Sequence, residues 1–405
     1  MSGPLNGLKV FDLTRILAGP SCTQILGDLG AEVIKIERPK VGDDTRNFAP
    51  PFLPSKNGTD SSESAYFAGT NRNKRSVTLN LAKPEGQALA KRLLADCDIL
   101  AENFKTGTLA KYGLGFDQIK EEFPGLIFCS ITGFGQTGPY AERPGYDALI
   151  QAMGVVMSLT GEPKGEPMKV GVSIADLMAG MYACVGILAA VRHKQLTGEG
   201  QYIDISMLDA HVAWLANQGM NFLATGVNQE RLGNNHPNIL PYQVMPTSDG
   251  YIVLSVGNDD TFHRFCEMAD CAELLEDERF KTNIERVKNR EFTTQVLNEI
   301  TRKKPSAWWL ENLEKNKIGC GPINNLSDVF SDPQVLARDM ILEMDHPATG
   351  GKPTKLIASP LKLSGTPVSY RRPPPMLGQH TAEVLQETLS LSESEIADLK
   401  SKGIV

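Results

Sequence analysis

The chain has 405 residues, of which 41% are hydrophobic and 22% charged, and this composition excludes a disordered or collagen-like protein. Its 41 basic and 48 acidic side chains give a net charge of −7, without the basic excess of a protein that binds a nucleic-acid backbone. A small molecule is therefore the expected partner, and the length predicts two or three domains.

The sequence predicts a cytoplasmic protein that neither crosses a membrane nor binds a metal. Its longest nearly apolar run, 177–191, contains Gly180 and Gly186 and is predicted to be a buried helix. The first residues carry no secretory or organellar pattern. The seven cysteines include no CxxC pair, and Cys266 and Cys271 lack the histidine pair of a zinc site, so we expect reduced core cysteines.

The first 135 residues alternate between strand and helix patterns. Short apolar runs predict strands at 8–14, 31–37, 76–81, 99–104 and 126–133. Helical spacing predicts helices at 20–29 and 84–96 and a helical pair ending at 123. Such alternation implies a parallel sheet between helices, with ligands beyond the carboxyl ends of the strands.

After residue 145 the patterns become mainly helical, and then the composition changes. Helices are predicted at 146–159 and 176–195, a strand at 201–205, and another helix through 224. A segment rich in Asn, Pro and Gly then leads into a short strand and polar helices. We therefore predict a large α/β domain at 1–225, a small α+β domain at 226–330, and a C-terminal strap at 331–405 that returns to the large domain.

A glycine-rich turn follows the last strand of the alternating array. Gly133-Phe-Gly-Gln-Thr-Gly138 matches the GxGxxG dinucleotide fingerprint, but it comes at the end of the array, and Pro139 disfavours a helix there. The other interpretations are a turn that needs glycine dihedrals, or a backbone loop that lies against another phosphate or acyl group.

The segment 171–176 allows three interpretations. Gly171-Val-Ser173-Ile-Ala175 is close to the GxSxG elbow of a serine hydrolase, with alanine in place of the last glycine. The acid and histidine of such an enzyme would come from Asp204, Asp209, His211, His236 and His346. Ser173 and Asp176 also have the spacing of a capping box. Alternatively, the helix amino end keeps Asp176 ionised, and its carboxylate attacks an activated acyl carbon.

Basic side chains occur near the ends of the predicted strands. Strand ends converge at one rim of a parallel sheet, which would gather these cations into a site for phosphates and an adenine ring. The alternative is a solvated surface with screened charges. The set comprises Arg15, Arg38, Arg72, Lys74, Arg75, Lys105 and Lys111, with Asn103 and Phe104 after the fourth strand.

Ordered motifs over nearly the whole chain resemble the class III coenzyme A transferases, the CaiB/BaiF family. The matching segments are 8–14, 18–20, 26–37, 71–76, 102–104, 130–139, 175–180, 197–201, 231–237, 321–325 and 377–381. The resemblance implies a Rossmann-like large domain with a parallel sheet, a small α+β domain, and an interlaced homodimer of two ring-like chains threaded through each other.

The resemblance also implies a chemistry. Asp176 would attack an acyl-CoA thioester to give an aspartyl anhydride, then an aspartyl-CoA thioester, and finally pass CoA to a free carboxylic acid. Coenzyme A is then a substrate, and no cofactor is permanently bound. The family's contacts to CoA correspond here to Ile16, Leu17, Arg38, Arg72, Lys74, Arg75, Asn103, Phe104, Lys111 and Phe134. The loop with Gly233, Asn234 and His236 would be a lid.

Two further features concern the substrate. Racemases of this family resemble Gly-His-Asp where this chain has Gly145-Tyr146-Asp147, and tyrosine is a poor base at neutral pH, so a 2-methylacyl-CoA racemase is the second interpretation. Several segments resemble most the succinate–hydroxymethylglutarate (glutarate) transferases, which implies a dicarboxylic acceptor and a donor like succinyl-CoA. Arg46 and Arg143 are predicted to bind its distal carboxylate.

Overall fold

The computed structural model describes residues 3–405, which divide into two compact units. The first unit contains residues 3–154, Gly171–Trp214 and Pro333–Val405, and the second contains Val155–Val170 and Leu215–Asp332. The sequence placed residues 155–170 and 215–225 in the large α/β domain, whereas both segments belong to the second unit. The Arg231 guanidinium explains one difference, because it donates to the carbonyls of Glu162 and Gly165 and so ties 155–170 to the second unit.

The strands of the described chain form one large sheet and three small ones. In chain order they are β1 (Lys9–Asp12), β2 (Glu32–Glu37), β3 (Phe52–Pro54), β4 (Asp60–Ser64), β5 (Lys74–Thr78), β6 (Ile99–Glu102), β7 (Ile127–Thr132), β8 (Tyr202–Ser206), β9 (Tyr242–Pro246), β10 (Tyr251–Ser255), β11 (Gly319–Gly321), β12 (Ile341–Asp345) and β13 (Pro353–Ile357).

The helices alternate with these strands in the first part of the chain and dominate the rest. They are α1 (Ala18–Asp28), α2 (Ala65–Ala68), α3 (Pro84–Leu94), α4 (Thr108–Lys111), α5 (Phe116–Ile119), α6 (Asp147–Met153), α7 (Val156–Leu159), α8 (Ile174–Thr197), α9 (Met207–Ala213), α10 (Ala216–Thr225), α11 (Asp259–Met268), α12 (Asn283–Lys288), α13 (Arg290–Thr301), α14 (Ser306–Lys315), α15 (Leu326–Ser331), α16 (Pro333–Ala337), α17 (Thr381–Leu389) and α18 (Glu393–Ser401). Three short 3₁₀ turns occupy Asp44–Asn47, Ala272–Glu276 and Pro347–Thr349.

The large sheet has six parallel strands in the order β5-β2-β1-β6-β7-β8, which confirms the predicted parallel sheet. Every residue of β7 is buried, as expected for a parallel strand covered on both faces. The chain adds strands to one side of β1 and then crosses to the other side at β6. In such a doubly wound sheet, the loops after these two central strands diverge and leave a crevice for ligands.

The helix α8 is the centre of the core of the first unit. It has the length and apolar composition of a membrane-spanning helix, but half of that segment is buried, and it packs against α1, α9 and β7. Gly180 allows the close approach to α1, because a Cβ atom there would lie 2.5 Å from the Ala18 carbonyl oxygen and 2.4 Å from Ser21 Oγ. The predicted buried helix is thus a core helix of this unit.

The predicted helix over 146–159 is wrong, because it is two helices, α6 and α7, which belong to different units. The break lies at Gly154 and Val155. A Cβ atom on Gly154 would lie 2.4 Å from the His211 ring, and Val155 adopts a left-handed φ of 81° that ends the helix.

The second unit contains the antiparallel sheet β11-β10-β9, against which α11, α13 and α14 bury an aromatic core around Phe262 and Trp309. The C-terminal segment from residue 333 belongs to the first unit. There His380 Nδ1 accepts a hydrogen bond from the Ser76 amide, and Thr381 Oγ1 accepts one from the Thr78 amide, so this segment lies along β5.

Candidate active site

The loops after β1 and β6 are joined at the crevice. The side chain of Asn103 accepts a hydrogen bond from the Arg15 amide at 2.8 Å and donates one to the Arg15 carbonyl at 2.7 Å. The next residue, Ile16, has a φ of 69°, which is rare and strained for a β-branched side chain. Its amide donates to Asp43 Oδ1 at 3.2 Å. Contacts from two other segments therefore hold this loop in its strained conformation.

Beside this loop lies a cavity of about 240 Å³, which we call the carboxylate pocket. Its walls come from the loops after β1, β6 and β7 and from the amino ends of α6 and α8. The functional side chains that line it are Arg15, Ile16, Asn103, Phe104, Lys105, Arg143, Tyr146, Asp147 and Asp176. Two carboxylates and three cations therefore share one small cavity at the position expected for a ligand.

Asp176 is half-buried in the first turn of α8. Burial, followed by the negative charge of Asp147, raises the pKa of Asp176 to about 7. Burial and the Asp147 charge therefore oppose the ionisation that the helix amino end is predicted to favour. The capping-box interpretation is wrong, because the Ser173 side chain makes no capping hydrogen bond. Instead, Asp147 Oδ1 accepts a hydrogen bond from the Ala175 amide at 2.9 Å.

Tyr66 on α2 is a site residue that sequence reasoning missed. Its phenol hydrogen-bonds Ser173, and its pKa is raised first by burial and then by the negative charge of Asp176. The contact joins positions more than a hundred residues apart, and the local sequence of α2 carries no signal for it. The Tyr66–Ser173 hydrogen bond argues against the serine-hydrolase interpretation. The side-chain partner of Ser173 is a tyrosine and not a histidine, and both nitrogens of the buried His211 ring lack hydrogen-bond partners within residues 3–405.

A second cavity of about 280 Å³, the strand-end pocket, adjoins the carboxylate pocket and shares Arg15 and Phe104 with it. Leu79, Leu81 and other apolar side chains form part of its wall. Arg38 stands at its edge with an exposed guanidinium, 3.4 Å from Asp44. The two pockets together form a groove along the carboxyl ends of β2, β1, β6 and β7.

Comparisons with known proteins identify the family to which this chain belongs. A family model described as CoA-transferase family III matches residues 5–381. The chain belongs to this family. It is 47% identical to a succinate–glutarate CoA-transferase of Agrobacterium fabrum over 95% of either chain, and 43% identical to the human succinyl-CoA:glutarate CoA-transferase over 99% of this chain and 90% of the relative. A crystal structure of a CaiB/BaiF family protein from Brucella suis superposes with a TM-score of 0.83 at 45% identity, over 96% of this chain and all of the other.

The protein is therefore a CoA-transferase, whose substrates are CoA thioesters and carboxylic acids. Several predicted site residues meet at its two pockets. Ile16, Asn103, Phe104, Arg143 and Tyr146 line the carboxylate pocket with Asp176, and Arg38 lines the strand-end pocket. Leu17 precedes α1 beside Ile16, and the exposed Lys111 ends α4. Phe134 is buried behind the turn at Gly133, with the Arg143 guanidinium 5.3 Å from its ring centre.

Four other predicted ligand residues are cations that the fold buries and pairs with its own carboxylates. Arg72 binds Asp28 in two hydrogen bonds, and Lys74 is fully buried 3.2 Å from Asp12, where burial lowers its pKa to about 8. The other two pairings are those of Arg75 with Glu32, Glu383 and Glu387, and of Arg46 with Glu37 and Glu63. None of the four lines either of the two pockets. The contacts of these four residues with CoA or the acid stay predictions.

The predicted lid residues of the CoA-transferase lie in the second unit, before β9. Gly233 adopts a left-handed φ of 60°, and the amide of His236 donates to the Tyr242 carbonyl at 3.0 Å. Asn234 lies between them in the same turn. The lid role of these residues stays a prediction.

Proposed function

We propose that this CoA-transferase moves CoA from a donor such as succinyl-CoA to a free dicarboxylic acid, through covalent intermediates on Asp176. The observation that carries the proposal is the half-buried Asp176 carboxylate, which lines a pocket at the crevice of the sheet and has a pKa of about 7. The names of the two relatives support the dicarboxylic substrate.

The reaction would proceed by two matched exchanges. An oxygen of the Asp176 carboxylate attacks the acyl carbon of the donor, the carbon–sulfur bond breaks, and CoA leaves as a thiolate while Asp176 and the acyl group form a mixed anhydride. The thiolate then attacks the aspartyl carbon of this anhydride, which releases the donor acid and leaves an aspartyl-CoA thioester. The acceptor carboxylate repeats both steps in reverse and leaves with CoA, so that Asp176 is regenerated and no proton is consumed.

The surroundings of Asp176 suit this chemistry. A desolvated carboxylate whose pKa is raised to about 7 is more basic than an ordinary aspartate, and so is a stronger nucleophile. Arg15, Lys105 and Arg143 supply positive charge to the same cavity, which offsets the negative charge of bound acids and tetrahedral intermediates. Closure by the loop that contains Gly233 would exclude water, which otherwise hydrolyses the anhydride.

The pocket also favours transfer over racemisation. A racemase needs a second base across from the carboxylate, and this position holds Tyr146, which is 71% exposed and a weak base at neutral pH. The cavity of about 240 Å³ suits a short diacid. We assign the strand-end pocket to the adenine and phosphate portion of CoA, with Arg38 and Lys111 as phosphate contacts. Action in the cytoplasm and the absence of a permanent cofactor stay predictions.

We also propose that the enzyme is a homodimer. The core helix α8 presents exposed apolar side chains, with Met181 53% and Val185 60% exposed, which is unusual for the surface of a monomer. A second copy of the chain would cover this face. Sedimentation equilibrium is expected to give twice the chain mass of 44.1 kDa, and a single-chain mass at micromolar protein would contradict the dimer.

An exchange assay tests the proposed reaction. Succinyl-CoA and isotopically labelled glutarate are incubated with the enzyme, and mass spectrometry follows labelled glutaryl-CoA and free CoA. A transferase produces the new thioester with little free CoA, and borohydride reduces its intermediate at residue 176. A serine hydrolase would release CoA without an acceptor and would lose activity with Ser173→Ala. A racemase would instead exchange the α-proton of a 2-methylacyl-CoA.

Arg143 is expected to select acids with two carboxylates. Its guanidinium lines the carboxylate pocket, stacks 4.5 Å from the Tyr140 ring centre, and forms no ion pair with any residue from 3 to 405. Arg143→Gln should raise the KM for glutarate about 10- to 100-fold, because a charge-assisted hydrogen bond is lost. The KM for a monocarboxylic acid of equal length is the control and should stay within a factor of about three. Equal losses for both acids would refute this role.

A further inference from the structure

Asp147 makes contacts that no function described above requires. It is the first residue of α6, and its Oδ2 accepts a hydrogen bond from Gln151 Nε2 at 2.8 Å, one turn along the same helix. Its Oδ1 reaches a different helix and accepts from the Ala175 amide at 2.9 Å. The same side chain lines the carboxylate pocket. Both oxygens are therefore fixed, and the negative charge stands at the wall of the site.

Because Asp147 accepts the hydrogen bond of the Ala175 amide, the Asp176 carboxylate is not needed as an acceptor for that amide at the amino end of α8. The first amides of a helix need acceptors, which the N-cap side chain or a carboxylate at the third position commonly supplies. In α8 these residues are Ser173 and Asp176, yet the acceptor of the Ala175 amide is Asp147, from outside the helix. This amide is thus satisfied without Asp176, whose carboxylate lines the pocket.

We propose that Asp147 is a positioning residue of the transferase: it anchors the amino end of α8 and holds a second negative charge beside Asp176, so that conversion of Asp176 to a neutral acyl derivative relieves their repulsion. The inference rests on the proposed role of Asp176 as the nucleophile. The charge of Asp147 contributes to raising the pKa of Asp176 to about 7, second to burial.

Other charged groups do not replace Asp147 in this role. The titratable side chains on elements packed against α8 are Cys22 and Asp28 on α1, Asp147 on α6, Cys129 on β7, Tyr202 and Asp204 on β8, and Asp209 and His211 on α9. Tyr66 on α2 and the cations Arg15, Lys105 and Arg143 complete the surroundings of the site. Among these groups Asp147 acts on the Asp176 charge, and burial lowers the pKa of His211, so that its ring is neutral at pH 7 and leaves Asp147 uncompensated.

Asp147 therefore changes the equilibrium between free and acylated enzyme as well as the rate of the reaction. The free carboxylate of Asp176 bears both desolvation and repulsion, whereas its anhydride and its CoA thioester are uncharged at this position. The covalent forms are therefore favoured relative to free enzyme by the presence of Asp147. A purely structural cap would hold the helix but would not change how much enzyme is acylated.

Asp147→Asn tests the inference, because an asparagine oxygen still accepts from the Ala175 amide while the charge is removed. The acid limb of kcat/KM should shift toward lower pH by about one unit. The fraction of enzyme trapped by borohydride at residue 176, with fixed succinyl-CoA at pH 7.5, should fall about tenfold. Asp260→Asn is the matched control, since it removes an exposed carboxylate from the first turn of α11, and its profile should superpose on that of the unaltered enzyme.

The possible failures can be told apart. If Asp147→Asn folds and its pH limb and trapped fraction match the unaltered enzyme, the inference is overturned while the role of Asp176 stands. If the unaltered enzyme gives no adduct at residue 176, the proposed function itself fails. Should Asp147→Asn not fold, Asp147→Ser supplies a neutral side chain that caps helices well, and the same two measurements decide.

Discussion

Replacing Asp176 with asparagine is expected to abolish CoA exchange and to stabilise the fold above neutral pH. The amide has no anionic oxygen to attack a thioester, so kcat/KM for succinyl-CoA should fall by at least about 10⁴-fold. Binding of CoA should persist, because the strand-end pocket contains no part of Asp176. Asp176→Ala excludes slow deamidation back to aspartate as a source of residual turnover.

The stability gain follows from the direction of the pKa shift. The folded-state pKa of Asp176 is about 7, above the ordinary aspartate value of 3.8, so the folded protein binds more protons between these values. The carboxylate therefore costs stability progressively as the pH rises from about 4 to 7. Asp176→Asn should gain about 1–2 kcal/mol at pH 8 and almost nothing at pH 4, after allowance for solvent screening of a half-buried group. Urea unfolding at both pH values measures this, and an equal change at both would contradict it.

Replacing Lys35 with methionine is expected to destabilise the first unit by about 3–5 kcal/mol. The Lys35 ammonium lies 2.9 Å from Asp43, both side chains are fully buried, and the ammonium also donates to the Thr14 carbonyl. Removal of the cation leaves Asp43 charged and unpaired in the interior. Asp43 also holds the Ile16 amide, so the wall of the carboxylate pocket should loosen and the KM for acyl-CoA should rise.

The pH dependence of this pair gives a second measurement. Burial raises the pKa of Asp43, but Lys35 and hydrogen bonds from Thr45 outweigh it and hold the pKa at about 2. The pair therefore stabilises the fold fully above about pH 4, and this contribution is lost as the pH falls toward 2. Lys35→Met should lose most of this dependence.

Hydrogen exchange of β1 and β2 amides isolates the first unit in this experiment, since a chain of two units need not unfold in one step. The matched control is Lys315→Met, which removes an exposed lysine paired with Glu311 and should cost less than about 0.5 kcal/mol. If Lys35→Met does not fold, Lys35→Met with Asp43→Asn should recover part of the loss. Equal protection of β1 and β2 in Lys35→Met and the unaltered protein would show that this pair contributes nothing.

Sequence patterns predict well those features of this enzyme that are determined by residues close together in the chain. The six strands of the large sheet, β1, β2, β5, β6, β7 and β8, follow from short apolar runs and intervening helical spacing, and Asp176 lies in a recognisable local motif at the start of α8. The rules for parallel sheets place ligands beyond the carboxyl ends of these strands, whereas the strand order comes from the structure.

The features that the sequence did not predict are contacts between distant segments. Arg72 and Arg75 have the charge and strand-end position of phosphate ligands, but the fold pairs them with Asp28 and Glu383 from other parts of the chain. The predicted cap of α8 was wrong for the same reason. The acceptor of the Ala175 amide is not the local candidate Ser173 but Asp147, which comes from another helix. Residue type reveals which side chains can ionise, whereas only the fold reveals which of them are already neutralised.

The missing side chain at Gly180 has a consequence for how this enzyme can acquire new substrates. One turn beyond Asp176, α8 rests on the backbone of α1, and the start of α1 borders the same pocket through Ala18. We therefore expect Asp176 and this wall to move together, so that the pocket cannot widen between them to admit a larger acid. Directed evolution toward other acceptors should accumulate changes in the surrounding loops, and leave the residues along this helix seam untouched.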